Sequence, residues 1–278
     1  MLMSLRTPLR YPGGKRKLAD FIESLISCND LSGCDYAEPY AGGAGLAMEL
    51  LRRGAVSQLW LNDIDKGIAS FWELVLKQPD LLCEMIDKTE VTIEEWKKQK
   101  EFAKSEDTVL RGFATFFLNR TNRSGIIKGG VIGGKSQSGS WKLDCRFNKS
   151  ELINRIQTIA KFKDRIHPFN MDALEFLDSA VPKHLKTVLF NLDPPYYVKG
   201  SGLYTNFYND SDHLKVSSFI RSELRPWIVS YDNHEFIKKL YSGCKFVEYD
   251  LTYTAQRKEV GKEIMFFGNL KEVPQIRR

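Results

Sequence analysis

The chain has little that would build a covalent, metallic or membrane architecture. Its 278 residues include five cysteines, at 28, 34, 83, 145 and 244, with no Cys-x-x-Cys pair. An odd, scattered set argues against a disulfide framework and reads as reduced core thiols of a cytoplasmic protein. The four histidines share no ligand spacing with one another or with cysteine, so no structural zinc or other metal site is expected. No run of 18 apolar residues occurs, so no membrane span is expected. Met1 to Arg10 lack the apolar core of a secretory signal. The Gly13-Gly14-Lys15 turn is half a phosphate loop at most. No glycine stands five residues before Gly14, and Arg16 follows Lys15 where a Ser or Thr belongs. Nucleotide hydrolysis is rejected on that ground.

What is present fits a globular protein, with 42% apolar and 27% charged residues. A chain of this length buries a core without metals or disulfides. The net charge of +6 is unevenly placed. Between Arg111 and Ser150 stand eight basic residues and one acid, Asp144, so that segment carries +7 and the rest sums to about −1. A polyanionic partner is one reading of such a segment; a solvated basic face is the other.

The hydrophobic pattern reads as α/β. A short amphipathic helix near Leu18 to Ile26 precedes a strand at Cys34 to Glu38. Glycines 42, 43 and 45 follow, then a helix from Leu46 to Arg53 ending at Gly54. The next strand, Val56 to Leu61, ends in Asn62-Asp63, 18 positions after Gly45. This is the order of a nucleotide-binding βαβ unit. Helical texture covers Gly67–Lys77, Ile93–Ala103 and Val109–Leu118. From Asn119 to Phe147 the chain is glycine-rich, basic and without helical period, and a stretch that long is functional or a hairpin with flexible arms. Helical spacing resumes at Leu152, Ile153, Ile156 and Ile159. Strands are predicted at Ile166–Phe169, Thr187–Leu192 and Trp227–Tyr231, then an antiparallel pair at Phe246–Leu251 and Glu263–Asn269.

Three motifs carry chemistry. In Glu38-Pro39-Tyr40-Ala41-Gly42-Gly43-Ala44-Gly45, glycines let the backbone approach a ligand, although a tight turn alone would use them too. Asp63 ends the second strand, where a carboxylate can accept ribose hydroxyls. Asp193-Pro194-Pro195-Tyr196 follows an apolar strand, the usual site of active-site loops in open α/β sheets. Two prolines fix this loop and remove two N–H donors. The Asp193 carboxylate and the Pro194 carbonyl are then paired acceptors for an exocyclic amino group. Tyr196 supplies an aromatic face for a planar base.

Taken in order, these motifs resemble the Dam-type, D12-class DNA adenine-N6 methyltransferases of the alpha group. The resemblance covers essentially the whole chain. Tyr11-Pro12-Gly13-Gly14-Lys15 is similar to the family's N-terminal cofactor motif, Glu38 to Gly45 to its glycine motif, and Asp63 to its ribose-binding acid. Asn119-Arg120-Thr121, Ser124-Gly125 and Arg146-Phe147-Asn148 resemble its recognition insert. Asp172 is similar to the residue that meets the cofactor's adenine, and Asp193 to Tyr196 to the catalytic motif. Ser230-Tyr231-Asp232 and the Lys262-Glu263 strand fit its C-terminal pattern. Arg123 and Ser124 stand where GATC-reading members commonly carry an aromatic residue and Asn, a departure from that specificity.

The resemblance implies a Rossmann-like methyltransferase core with a mixed sheet and an antiparallel C-terminal hairpin, interrupted by a helical and β-hairpin recognition domain. The expected divisions are 1–66 (cofactor half), 67–164 (recognition insert) and 165–278 (half with the Asp-Pro-Pro-Tyr motif). S-adenosyl-L-methionine is the expected cofactor, held by Tyr11, Gly13, Gly14, Lys15, Glu38, Pro39, Tyr40, Gly42, Gly43, Gly45, Asp63, Asp172 and Asp193. Lys15 is expected to hold Asp193 or the cofactor. Double-stranded DNA is the expected substrate, met by Arg120, Arg123, Ser124, Lys128, Lys135, Arg146 and Asn148. The target adenine would be flipped out, stacked on Tyr196 and bonded through its amino group to Asp193 and Pro194. A monomer is expected, with a cognate restriction endonuclease as a compatible partner. Competing readings are methylation of RNA or of cytosine N4, and a DNA-binding relative without chemistry. Asp193, where cytosine-N4 enzymes often carry Ser, favours adenine.

Overall fold

The computed structural model describes residues 5–11, 15–185, 187–198, 208–253 and 259–276. Seven strands form one mixed sheet: β1 (Cys34–Glu38), β2 (Val56–Asn62), β3 (Ile166–Phe169), β4 (Val188–Leu192), β5 (Trp227–Asp232), β6 (Lys245–Tyr253) and β7 (Glu259–Gly268). Their order is β3-β2-β1-β4-β5-β7-β6. The first five run parallel, and β7 is antiparallel to both β5 and β6. The order reverses between β1 and β4. A crevice opens at such a switch point, beyond the carboxyl ends of the strands.

Side-chain alternation divides the core between the two sheet faces. Leu59, Leu189, Ile228 and Met265 join one apolar cluster, which takes in α1 (Ala19–Cys28), α2 (Gly45–Arg53) and α3 (Lys66–Lys77). The same cluster continues through α4 (Pro79–Lys88), α5 (Ile93–Phe102), α6 (Thr108–Thr121) and α7 (Lys149–Ala160). Phe190, Val229 and Phe266 face the other way, toward Phe176 after the single turn α8 (Ala173–Glu175), and toward α9 (Asp210–Ser222) and α10 (Glu235–Leu240). Burial on both faces explains why β4 is apolar at every position but Asn191 rather than alternating.

The structure departs from the sequence expectations in four ways. The α6 helix runs through Asn119-Arg120-Thr121, all buried, because Asn122 takes over its C-terminal hydrogen bonding where a loop was expected. No β-hairpin forms in the insert: among the described residues its only pairing is the bridge between Asn122 and Val131. The α4, α9 and α10 helices were not foreseen; α4 begins at Pro79, whose missing N–H costs nothing at a first helical position. The 66/67 division cuts the first turn of α3, whose N-cap Asp65 accepts from the Gly67 and Ile68 amides.

Candidate active site

Every strand end along the crevice contributes a polar side chain. Glu38 ends β1, Asp63 follows β2, Asp172 follows β3 and Asp193 follows β4. All four line one cleft of about 710 Å³, within the range of small-ligand sites. Buried Asn62 ties three of these ends together. Its amide donates to the Pro39 carbonyl at 3.0 Å and the Met171 carbonyl at 3.1 Å, and its oxygen accepts from the Met171 amide at 3.1 Å.

The glycine turn forms one wall. Gly42 has φ +47, and a Cβ there would lie 2.5 Å from the ring of Tyr11, which rests on Gly42 and Gly43. The Trp72 indole N–H donates to the Gly42 carbonyl at 2.9 Å, and the Gly42 amide donates to Asp63 Oδ2 at 2.9 Å. The Asp65 amide fills Asp63 Oδ1 at 2.9 Å. Burial nonetheless pushes the Asp63 carboxyl up to about 6. Burial also raises Glu38 to about 8, against the Tyr36 hydroxyl that donates to it at 3.1 Å. Tyr11, Lys15, Pro39, Tyr40, Gly43 and Gly45 line the same cleft. Gly13 and Gly14 lie outside the described residues. Asp172 is an N-cap, accepting from the Leu174 amide at 2.8 Å and the Glu175 amide at 3.4 Å. Among the lining residues that the sequence reading did not assign to the site are Ile64, half exposed beside Asp63, and Tyr208, whose hydroxyl meets that of Tyr40 at 3.1 Å.

At the far wall, Lys15 Nζ donates to Asp193 Oδ1 at 2.5 Å. Asp193 is one of the two partners expected for Lys15. Both line the cleft, and the carboxylate, with a side chain 29% exposed against 5% for Lys15, is the more open of the two. Burial raises the Asp193 carboxyl and Lys15 opposes the rise. Among the described residues, no donor reaches Asp193 Oδ2 or the Pro194 carbonyl. Beyond the motif, Asp232 accepts the Tyr197 and Val198 amides at 2.8 Å each, which fixes the exit of the loop.

Tyr196 lies in the wall of the site. It is 4% exposed, with its hydroxyl donating to Glu263 Oε1 at 2.5 Å and Lys15 Nζ 5.6 Å from its ring centroid. The ring is packed into the wall of the site because its hydroxyl finds a buried carboxylate there. Glu263 and Tyr249, which the sequence reading left without a role, surround it.

The basic segment is also sorted by the structure. Arg120 turns inward: its guanidinium donates to the Arg146 and Pro8 carbonyls, and burial lowers it to about 9. Asn148 caps α7 by accepting from the Glu151 amide at 3.0 Å. Arg123, Lys128, Lys135 and Arg146 are exposed, and Ser124 is partly buried with φ +57. Gly125 through Gly129, Lys128 among them, line the cleft itself. Asn119 secures this loop, bonding Arg10 through both backbone groups at 2.7 and 2.8 Å and the Gly125 carbonyl at 2.8 Å.

A Rossmann-like sheet whose switch-point cleft ends on a lysine-braced Asp-Pro-Pro-Tyr loop defines an amino-group methyltransferase. The chain belongs to the D12 class N6 adenine-specific DNA methyltransferase family, which it matches over residues 11–255. It is similar to the type II methyltransferase M.MjaIII of Methanocaldococcus jannaschii, with 23% identity over 266 residues that cover 87% of this chain and 89% of the relative. Its activity is that of a site-specific DNA-methyltransferase (adenine-specific), EC 2.1.1.72.

Proposed function

We propose that the cleft binds S-adenosyl-L-methionine and that Asp193 and Pro194 receive the amino group of an adenine flipped from double-stranded DNA. The observation that carries this reading is the open acceptor Asp193 Oδ2, on a cleft that Asp63 also lines, with the Pro194 carbonyl next to it in the loop and without a donor among the described residues. The cleft fits such a cofactor. The glycine wall has no room for a side chain at Gly42, Asp63 offers acceptors to ribose hydroxyls, and exposed Ile64 offers an apolar face to a base. When bound, the cofactor supplies an electrophilic methyl group on a cationic sulfur.

The protein's part is positioning and electrostatics. Asp193 and Pro194 accept hydrogen bonds from the two amino N–H groups and draw the nitrogen lone pair out of the ring. As positive charge develops on that nitrogen, the bond to the Asp193 carboxylate strengthens. Lys15 keeps one Asp193 oxygen occupied, which leaves the other aimed at the substrate. Asp232 and Asn62 hold the loop and strand ends so that little reorganisation is needed.

For DNA, exposed Arg123, Lys128, Lys135 and Arg146 are the phosphate- and base-facing residues, with partly buried Ser124 beside Arg123. Arg120 supports them from within, and exposed Asn148 caps α7 beside them. Trp141, 68% exposed in the same segment, serves as a fluorescent reporter of DNA binding. The likeness to a type II methyltransferase supports a role beside a restriction endonuclease. Incubating the protein with methyl-labelled cofactor and duplex DNA, single-stranded DNA or RNA tests the reading. N6-methyladenine in duplex DNA supports it, and label in RNA alone or in cytosine overturns it.

A further inference from the structure

Glu263 lies at the centre of β7 and is fully buried. In register it faces Asp232 on β5 and Tyr249 on β6. Its Oε1 accepts the Tyr196 hydroxyl and its Oε2 the Tyr249 hydroxyl, each at 2.5 Å, and Lys15 Nζ stands 3.9 Å from Oε2. A carboxylate here is a poor choice for stability alone. It is taken wholly out of water, and it lies directly across from another acid in a neighbouring strand. An apolar side chain would fill the same volume without that cost.

The donors that converge on Glu263 point to another role. One comes from the catalytic loop (Tyr196), one from the N-terminal segment (Lys15) and one from the adjoining strand (Tyr249). Lys15 is thus held between two carboxylates, Asp193 at 2.5 Å and Glu263 at 3.9 Å. An ammonium drawn by Asp193 alone could swing between both Asp193 oxygens and occupy the acceptor that the substrate needs. One held also from behind engages only Oδ1.

We propose that Glu263 is a positioning residue for methyl transfer: through Lys15 and Tyr196 it fixes the orientation of Asp193 and keeps one carboxylate oxygen open to the adenine amino group. The proposal rests on the function given above. Glu263 acts in a second way through its charge. The groups facing Asp193 are Lys15, Glu263, Glu38, Tyr36 and Tyr249. Lys15 favours the ionised carboxylate and Glu263 opposes it, so Glu263 maintains the basicity of the oxygen that accepts the amino proton.

The test is the pH dependence of single-turnover methylation of duplex DNA by the full-length protein, with cofactor and DNA affinities measured alongside. Glu263→Gln is expected to slow the reaction roughly 10-fold or more while leaving both affinities within about twofold. It should also move the acidic limb of the profile to lower pH, because a like charge beside Asp193 is gone. Lys15→Met should move that limb to higher pH. Opposite displacements are a signature that a merely structural Glu263 would not produce. If Glu263→Gln does not fold, Tyr249→Phe removes one of the two hydroxyls that locate the carboxylate and should slow single turnover with both affinities kept. The proposal is overturned if folded Glu263→Gln, or Tyr249→Phe in its place, turns over at the wild-type rate. It is overturned equally if the Glu263→Gln limb stays put or moves upward. A wild-type protein that does not methylate adenine would instead count against the function itself.

Discussion

Lys15 and Asp193, 178 residues apart in the chain, meet at 2.5 Å, and the lysine is the more deeply buried of the two. A cation bonded to one carboxylate oxygen polarises the site without blocking the other. Replacing Lys15 with Met should therefore lower single-turnover methylation by roughly 10²-fold, the penalty for a catalytic group that loses its fixed orientation. Cofactor affinity, measured by calorimetry, should change little, because the structure pairs Lys15 with Asp193 and Glu263.

Asp63 makes cofactor binding depend on pH. Its carboxyl is raised to about 6 by burial, and ribose hydroxyls bond best to the ionised form. Affinity should hold above pH 7 and fall as the pH drops through about 6, because protonation removes an acceptor. Asp63→Asn should flatten this dependence. Asp63→Ala should weaken binding by ~1.5–3 kcal/mol for each charge-assisted bond removed.

Glu38 makes stability depend on pH in a different window. Its ordinary value is 4.5 and the folded one about 8, so the folded chain keeps a proton that the unfolded chain releases. Its contribution is complete below about pH 4.5 and is lost as the pH rises toward 8. Through that window the ligand-free protein should lose about 1 kcal/mol of stability per pH unit relative to Glu38→Gln. Denaturant titrations of both proteins at pH 5 and pH 8 measure the difference.

The basic segment divides into surface and scaffold. Changing Arg123, Lys135 and Arg146 together to Ala should weaken DNA binding and flatten its salt dependence by roughly 0.9 of a log–log slope unit for each phosphate that is no longer neutralised. The melting temperature should hold. Arg120→Ala should do the reverse, lowering the melting temperature because the Arg146 and Pro8 carbonyls lose their donor. Quenching of Trp141 fluorescence by DNA gives the affinity in each case.

Much of this was legible in the sequence because it rests on local signals. Gly45 and Gly54 bracket a helix, four of the five residues before Asp193 are apolar, and each strand end carries its acid. What was hidden depends on contacts distant in the chain. Nothing local distinguishes Arg120, which is buried, from Arg123, which is exposed three residues later at the helix end. Glu263 reads as one more charge in a strand until β7 lies between Asp232 and Tyr249. Nor does anything local tie the Tyr196 hydroxyl to Glu263, 67 residues further on. The expected hairpin in the insert failed for a related reason: Asn119 and Asn122 tie the backbone through side-chain bonds, which a periodicity reading does not see.

The central claim is that Asp193 accepts the amino group of the target adenine and strengthens that bond in the transition state. Single-turnover methylation of duplex DNA by Asp193→Ala, with cofactor and DNA affinity measured on the same sample, tests it most directly. The account predicts a rate at least ~10²–10³ below wild type, with DNA binding and the fold retained. Methylation of adenine by Asp193→Ala at close to the wild-type rate would contradict it.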